Sequence, residues 1–152
     1  MNLTSPAFEN GQLIPQKYGA AFENVSPPLA ISDVPPEAKS LVLVMDDPDV
    51  PVAARVPVWD HWVLFDLPPE TRELPEGRSP DVGVRGKGTG GELDYAGPQP
   101  PDREHRYFFR LYALDVPLGL PEGSIRQAVL EAAEGHVVAQ TELMGRFSPG
   151  LD

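Results

Sequence analysis

The chain has 152 residues, a length that suits one domain with its own hydrophobic core rather than two. Its 19 Pro and 14 Gly residues interrupt regular structure too often for an all-helical fold and favour short strands joined by turns. The formal net charge of −11 repels nucleic acid and anionic lipid alike, so we expect neither a nucleic-acid partner nor stable docking on a membrane.

The first third of the chain contains one clear core strand. Residues 1–15 carry no basic stretch followed by an apolar run, which predicts a cytoplasmic protein without a secretory signal. Leu41–Met45 is a short run of branched apolar residues, and prolines and aspartates bound it on both sides. Such a run is typical of a buried strand.

A second strand is predicted over Val58–Leu67, where side chains should alternate between two faces. Strict alternation puts the odd-numbered residues Trp59, His61, Val63 and Phe65 on one face and the even-numbered residues on the other. The following stretch, Pro68–Gly91, is rich in Gly, Pro and charge and is predicted to be a long loop of the kind that often has a function.

The last third of the chain predicts two strands and one helix. A strand over Arg106–Asp115 would point His105 and Tyr107 together and Arg106 away from them. Gly123–Gly135 has helical spacing, with Ser124 as N-cap and Gly135 as the stop. A final strand follows over Val137–Met144. This pattern of elements predicts an all-β-dominated sandwich with one short helix in the C-terminal half.

Three groups of polar residues lie at the ends of these strands. They are Asp46–Pro51 (DDPDVP), Trp59–His61 (WDH), and Tyr95–Pro101 (YAGPQPP) leading to His105–Tyr107. A carboxylate beside an imidazole sets its tautomer, raises its pKa and leaves a ring N–H for an anion. Tyr107 adds a hydroxyl donor, and Gly97, without a Cβ, allows backbone to approach a ligand closely. The three groups therefore predict a small anion-binding pocket.

Other interpretations of the same residues remain open. Acidic residues beside proline are commonly solvated turns, and a histidine in a strand is commonly structural. Asp47, Asp49, His61 and His105 could also supply the ligands of a metal-dependent hydrolase. A cysteine nucleophile is excluded because the chain has no Cys, and no Gly-x-Ser-x-Gly motif indicates a serine hydrolase.

Taken in order and spacing, DDPDVP, WDH, YAGPQPP and HRYFF resemble the signature segments of the phosphatidylethanolamine-binding protein family, in its bacterial and archaeal, Raf-kinase-inhibitor-like branch. Two N-terminal stretches, LTSPAFENGQLIPQKY and ENVSPPLAISDVP, extend the resemblance from Leu3 to about Phe147. The resemblance implies one domain over residues 1–152, built from two packed antiparallel sheets.

The resemblance also implies what the site does. It implies a pocket for phosphate, a phosphomonoester or a phosphorylethanolamine-like head group. We expect no cofactor and no catalysis, because nothing in the chain pairs a nucleophile with a base and an oxyanion hole. Its partners would be that anion or a kinase or protease presenting a phosphorylated or acidic group, and the resemblance favours a homodimer. One departure affects the rim, where Arg103 replaces the usual glycine in a shortened Asp102-Arg103-Glu104 loop. The residues carried over by motif are Asp47, Pro51, Trp59, His61, Gly97, His105 and Tyr107.

Overall fold

The structure is a computed structural model that describes residues 1–77 and 81–149. It contains two antiparallel sheets and one α-helix among these residues, which confirms the predicted sandwich. Residues 78–80 fall within the predicted loop Pro68–Gly91 and lie outside the described residues. The described helix has eight residues, and no helix of the described chain is long and apolar enough to cross a membrane.

The larger sheet has five strands in the order β6-β4-β3-β7-β8, and the smaller has three in the order β1-β2-β5. The strands of the smaller sheet are β1 (Asn2–Thr4), β2 (Leu29–Ser32) and β5 (Glu73–Leu74). Those of the larger sheet are β3 (Ser40–Asp47), β4 (Trp59–Leu67), β6 (Val84–Arg85), β7 (His105–Leu114) and β8 (Val137–Phe147). The helix α1 covers Arg126–Ala133.

Strand β3 is the centre of the molecule, and all eight of its residues are buried. Its alternate side chains point into two hydrophobic clusters on opposite faces of the larger sheet. Leu41, Leu43 and Met45 pack in the inner cluster, between the two sheets, with residues of the smaller sheet. Val42 and Val44 pack in the outer cluster, beneath α1. A strand buried on both faces reads in sequence as a continuous apolar run, which is why β3 was predictable.

The helix is shorter than predicted, and its N-cap prediction was wrong. Ile125 is the N-cap residue, and its apolar side chain cannot cap the helix. The Ser124 hydroxyl donates to the Pro121 carbonyl. The predicted stop is confirmed, since Gly135 directly after the helix has a φ of +82°, a left-handed conformation that glycine adopts without steric cost.

Candidate functional site

The three predicted polar groups meet at one cavity of about 490 Å³ on the inner side of the larger sheet. The loop after β3, the start of β4, the 95–101 segment and the start of β7 each contribute part of its wall. The structure thus brings together all of the residues predicted for the site. They are Asp47, Pro51, Trp59, His61, Gly97, His105 and Tyr107.

A β-bulge in β4 turns His61 into this cavity. Met45 and Asp46 of β3 pair with Trp62 and Asp60, so one step along β3 matches two steps along β4 and His61 is the extra residue. The His61 ring lies 5.3 Å from the Tyr107 ring on the inner side, whereas Val63 packs in the outer cluster. The strict alternation predicted for this strand was therefore wrong, because it placed His61 and Val63 on one face.

The His61 ring is buried, and one of its two nitrogens is already hydrogen-bonded. Its Nδ1 lies 2.7 Å from the Ala96 carbonyl, which can only accept, so Nδ1 carries a proton. Burial holds the pKa of His61 below its ordinary value, although the Ala96 carbonyl and the charge of Asp47 act in the opposite direction. The prediction that a neighbouring carboxylate raises this pKa was wrong for His61, since burial outweighs it. In the neutral ring Nε2 then presents a lone pair.

His105 is held by a carboxylate at each ring nitrogen. Nδ1 lies 2.7 Å from Asp47 Oδ2, and Nε2 lies 2.7 Å from Asp102 Oδ1. The ring itself is fully buried. The sequence predicted that a carboxylate would leave one ring N–H for an anion, but in His105 both nitrogens are occupied.

Asp47 connects His105 to Tyr107. One Asp47 oxygen accepts the backbone N–H of Asp49 at 2.7 Å and the other lies against His105. The pKa of the fully buried Tyr107 hydroxyl is raised, first by burial and then by the negative charge of Asp47. Tyr107 is therefore a neutral hydrogen-bond donor at physiological pH.

Gly97 and Pro51 shape the cavity rather than offer it free polar groups. Gly97 donates its N–H to the Asn24 side-chain oxygen at 2.7 Å, and a Cβ placed on Gly97 would overlap the Tyr18 carbonyl oxygen. Close packing of two backbone segments thus explains the glycine. Pro51 leads into a 3-10 turn over Val52–Ala54, and Trp59 is the half-buried first residue of β4.

Sequence reasoning missed several lining residues. Glu92 adds a second carboxylate to the wall beside Asp47, and Asn24 and Tyr95 also line the cavity. Asn24 has a φ of +55° and Tyr95 donates its hydroxyl to the Tyr18 carbonyl at 3.0 Å. Tyr95 stands in the YAGPQPP segment and could have been proposed on that ground. Glu92 directly follows the predicted long loop Pro68–Gly91, and no sequence pattern there indicates a site residue.

Arg106 lies outside the cavity, as the alternation of β7 predicts. Its guanidinium donates to both oxygens of Asp49, from Nε at 2.9 Å and from Nη2 at 2.8 Å. This pairing lowers the pKa of Asp49 to about 2, chiefly through the Arg106 side-chain hydrogen bonds. No Lys or Arg is among the described residues that line the cavity.

The same pairing bears on the metal-dependent alternative. That hypothesis counted Asp49 among the four residues that could supply ligands, with Asp47, His61 and His105, but both Asp49 oxygens face Arg106. Within residues 1–77 and 81–149, no group of three or more His, Cys, Asp or Glu side chains is arranged to hold a metal ion. Asp49 is therefore committed to Arg106 and is not available to the cavity as a metal ligand.

The comparisons with known proteins agree with this architecture. A family model described as phosphatidylethanolamine-binding protein matches residues 4–148. Curated relatives called UPF0098 protein are 49% identical in Chlamydia trachomatis, over 97% of this chain and 98% of the relative, and 48% identical in Methanothermobacter thermautotrophicus, over 99% and 100%.

Two solved structures share the fold. The phosphatidylethanolamine-binding protein homolog CT736 from Chlamydia trachomatis has a TM-score of 0.91 and 47% identity, covering 99% of this chain and 97% of that one. Escherichia coli YbcL, described as a member of the mammalian PEBP family, has a TM-score of 0.87 at 23% identity, covering 98% of both chains, and shows likeness of fold alone. The family model and the relatives establish that this chain belongs to the phosphatidylethanolamine-binding protein family.

Proposed function

We propose that the cavity binds a small phosphate-like anion, such as phosphate, a phosphomonoester or a phosphorylethanolamine-like head group. The observation that carries this proposal is the placement of His61 beside Tyr107 in the wall of the cavity, with Nδ1 of His61 engaged by Ala96. Protonation of Nε2 would turn this ring into a charged donor, and oxyanions bind such donors well.

The proposed binding is weak. No Lys or Arg lines the described cavity, and Asp47 and Glu92 give its wall two carboxylates. A site of this charge attracts an anion mainly through a few hydrogen bonds and one titratable ring. We therefore expect dissociation constants nearer millimolar than nanomolar.

We further propose that the protein binds without turnover. The described residues that line the cavity include no Ser, Thr, Cys or Lys that could act as a nucleophile beside a histidine base. Both histidines are instead tied to carbonyl or carboxylate oxygens. This arrangement is better suited to binding an anion than to catalysing a nucleophilic attack on a bound substrate.

The anion need not be a free metabolite. A phosphorylated or acidic residue of a protein partner, such as a kinase or a protease, would present the same oxyanion to the same donors. The net charge of −11 argues against nucleic acid and against stable docking on an anionic membrane. The cytoplasmic location and the homodimer stay predictions from the sequence.

A titration of 15N-labelled protein with inorganic phosphate, followed by NMR, tests this function. We expect saturable shifts confined to residues around His61 and Tyr107, weakened in His61→Ala. Arg106→Ala is the matched control, because it removes a cation of β7 that faces away from the cavity and should leave the affinity unchanged. Absence of saturable shifts at tens of millimolar phosphate, or binding lost in Arg106→Ala and kept in His61→Ala, would overturn the proposal.

A further inference from the structure

His105 lies between two carboxylates that are held very differently. Asp47 and Asp102 each approach a ring nitrogen to 2.7 Å, but the Asp47 side chain is 4% exposed and the Asp102 side chain 41% exposed. Asp47 also accepts the N–H of Asp49 and lies at the end of the central strand β3. Asp102 belongs to the short bend before β7, outside regular structure.

Any ligand that uses His105 must therefore displace Asp102. A histidine holds an anion through its ring nitrogens, and both are occupied. Removing Asp47 would uncover buried polar groups on three sides, whereas Asp102 can turn outward into water. The neighbouring Arg103 could still pair with the displaced carboxylate, since its Nε lies 3.9 Å from Asp102 Oδ2.

We propose that Asp102 is an internal competitor of the anionic ligand for His105. Its carboxylate accepts the ring N–H that an incoming oxyanion would accept. Binding at this nitrogen therefore exchanges one anion for another, and the ligand gains little binding free energy there. Asp102 is thus a positioning residue that sets the affinity of the site through His105. This inference rests on the anion-binding function proposed above, and it adds a determinant of affinity outside the residues that line the cavity.

Substitutions in one loop test the inference with a matched control. Asp102→Ala removes the competing carboxylate, and Asp102→Asn removes its charge while keeping a polar group. Glu104→Gln makes the same change of net charge two residues away, at a carboxylate that pairs with Arg146 and Ser148 rather than with His105. The binding of inorganic phosphate to each variant is measured by NMR titration at pH 7, together with the imidazole 15N shifts of His105.

We expect Asp102→Ala to bind phosphate about three to ten times more tightly than the unmodified protein, because an anion beside a removed carboxylate gains about that much. Asp102→Asn should fall between the two, and Glu104→Gln should stay within about twofold of the unmodified protein. Phosphate should move the Nε2 signal of His105 in Asp102→Ala. A purely structural role for Asp102 would not produce that shift.

The outcomes separate this inference from the proposed function. Equal phosphate affinity in the unmodified protein and Asp102→Ala, or equal tightening by Glu104→Gln, would overturn the inference and leave anion binding intact. Phosphate binding by the unmodified protein that tightens in Asp102→Ala, with the His105 shift, would support both. Binding seen in Asp102→Ala but not in the unmodified protein would support the inference and overturn the proposed function. Failure of every protein to bind phosphate would overturn both.

Discussion

Anion affinity should depend on the protonation of His61. Nδ1 donates to Ala96, so neutral His61 offers the cavity a lone pair at Nε2, and only the protonated ring offers a donor with charge. Burial holds the pKa of His61 below 6.5, with the Ala96 carbonyl and Asp47 opposing it. The free protein therefore contains mostly neutral His61 at pH 6.5, and an anion that needs the charged form must bind together with a proton.

The size of the effect follows from this linkage. Where the free ring is mostly neutral and the bound ring mostly protonated, binding takes up one proton. Each rise of one pH unit then weakens the binding free energy by about 1.36 kcal/mol, which is tenfold in affinity. The affinity depends on pH in this way between the pKa of His61 in the free protein, which lies below 6.5, and the higher pKa of the same ring in the complex. For a ligand of constant charge we therefore expect the affinity to fall as the pH rises from 6.5 to 7.5, by up to about tenfold.

Dimethyl phosphate is a suitable ligand, because a phosphodiester stays singly charged over this range while a phosphomonoester gains a second charge near pH 6. The assay is an NMR titration at pH 5.5, 6.5 and 7.5 with the unmodified protein and His61→Gln, which keeps a polar side chain but carries no charge. We expect a flat profile in the variant. A flat profile in the unmodified protein would refute the charge-based mechanism, and a slope that persists in His61→Gln would assign the titration to another group, such as His105.

Further predictions concern stability and chemistry. Asp49→Asn should lower the free energy of unfolding at pH 7 by about 1 kcal/mol. This is less than the roughly 2.4 kcal/mol that a pKa lowered from 3.8 to about 2 implies, because Arg106 is half exposed and solvent screens the pair. Since Arg106 depresses the pKa of Asp49, the difference in unfolding free energy measured in urea should shrink as the pH falls from 5 towards 2. Gly97→Ala should destabilise by about 1–3 kcal/mol in the same assay, because its Cβ would meet the Tyr18 carbonyl, and equal stability would contradict this packing. Phosphomonoesters, carboxylic esters and peptides should show no turnover above background, and any rate abolished by His61→Ala would disprove the binding-only proposal.

The long strands were predictable because burial sets their composition. β3 and β7 are eight and ten residues long, enough for an apolar run or an alternation to repeat several times. The two-residue strands β5 and β6 contain no period at all, and their pairing follows from contacts distant in sequence. A sequence-based argument can reach the sandwich but not the complete order of its strands.

The site was predictable in its members and not in its hydrogen bonds. Three groups of polar residues at strand ends indicated which side chains converge, and the resemblance named them. The bulge at His61 was invisible because an alternation assumes a constant register, and an inserted residue reverses the faces of the residues that follow until the next irregularity, which here lies between Leu64 and Leu67. The direction of the His61 pKa was mispredicted for a related reason, since a sequence displays neighbouring charges but not burial.

The balance of charge in the cavity explains why protonation should govern this site. A cavity with an arginine clamp attracts anions at every physiological pH, whereas this one has Asp47 and Glu92 in its described wall and no Lys or Arg among those lining residues. Its available cation is then a proton on His61, which burial makes costly to add. A phosphomonoester that retains its own proton can donate P–OH to neutral Nε2, which a phosphodiester cannot do. On the proposed function, we therefore expect this cavity to bind a protonated phosphomonoester more tightly than a diester near neutral pH.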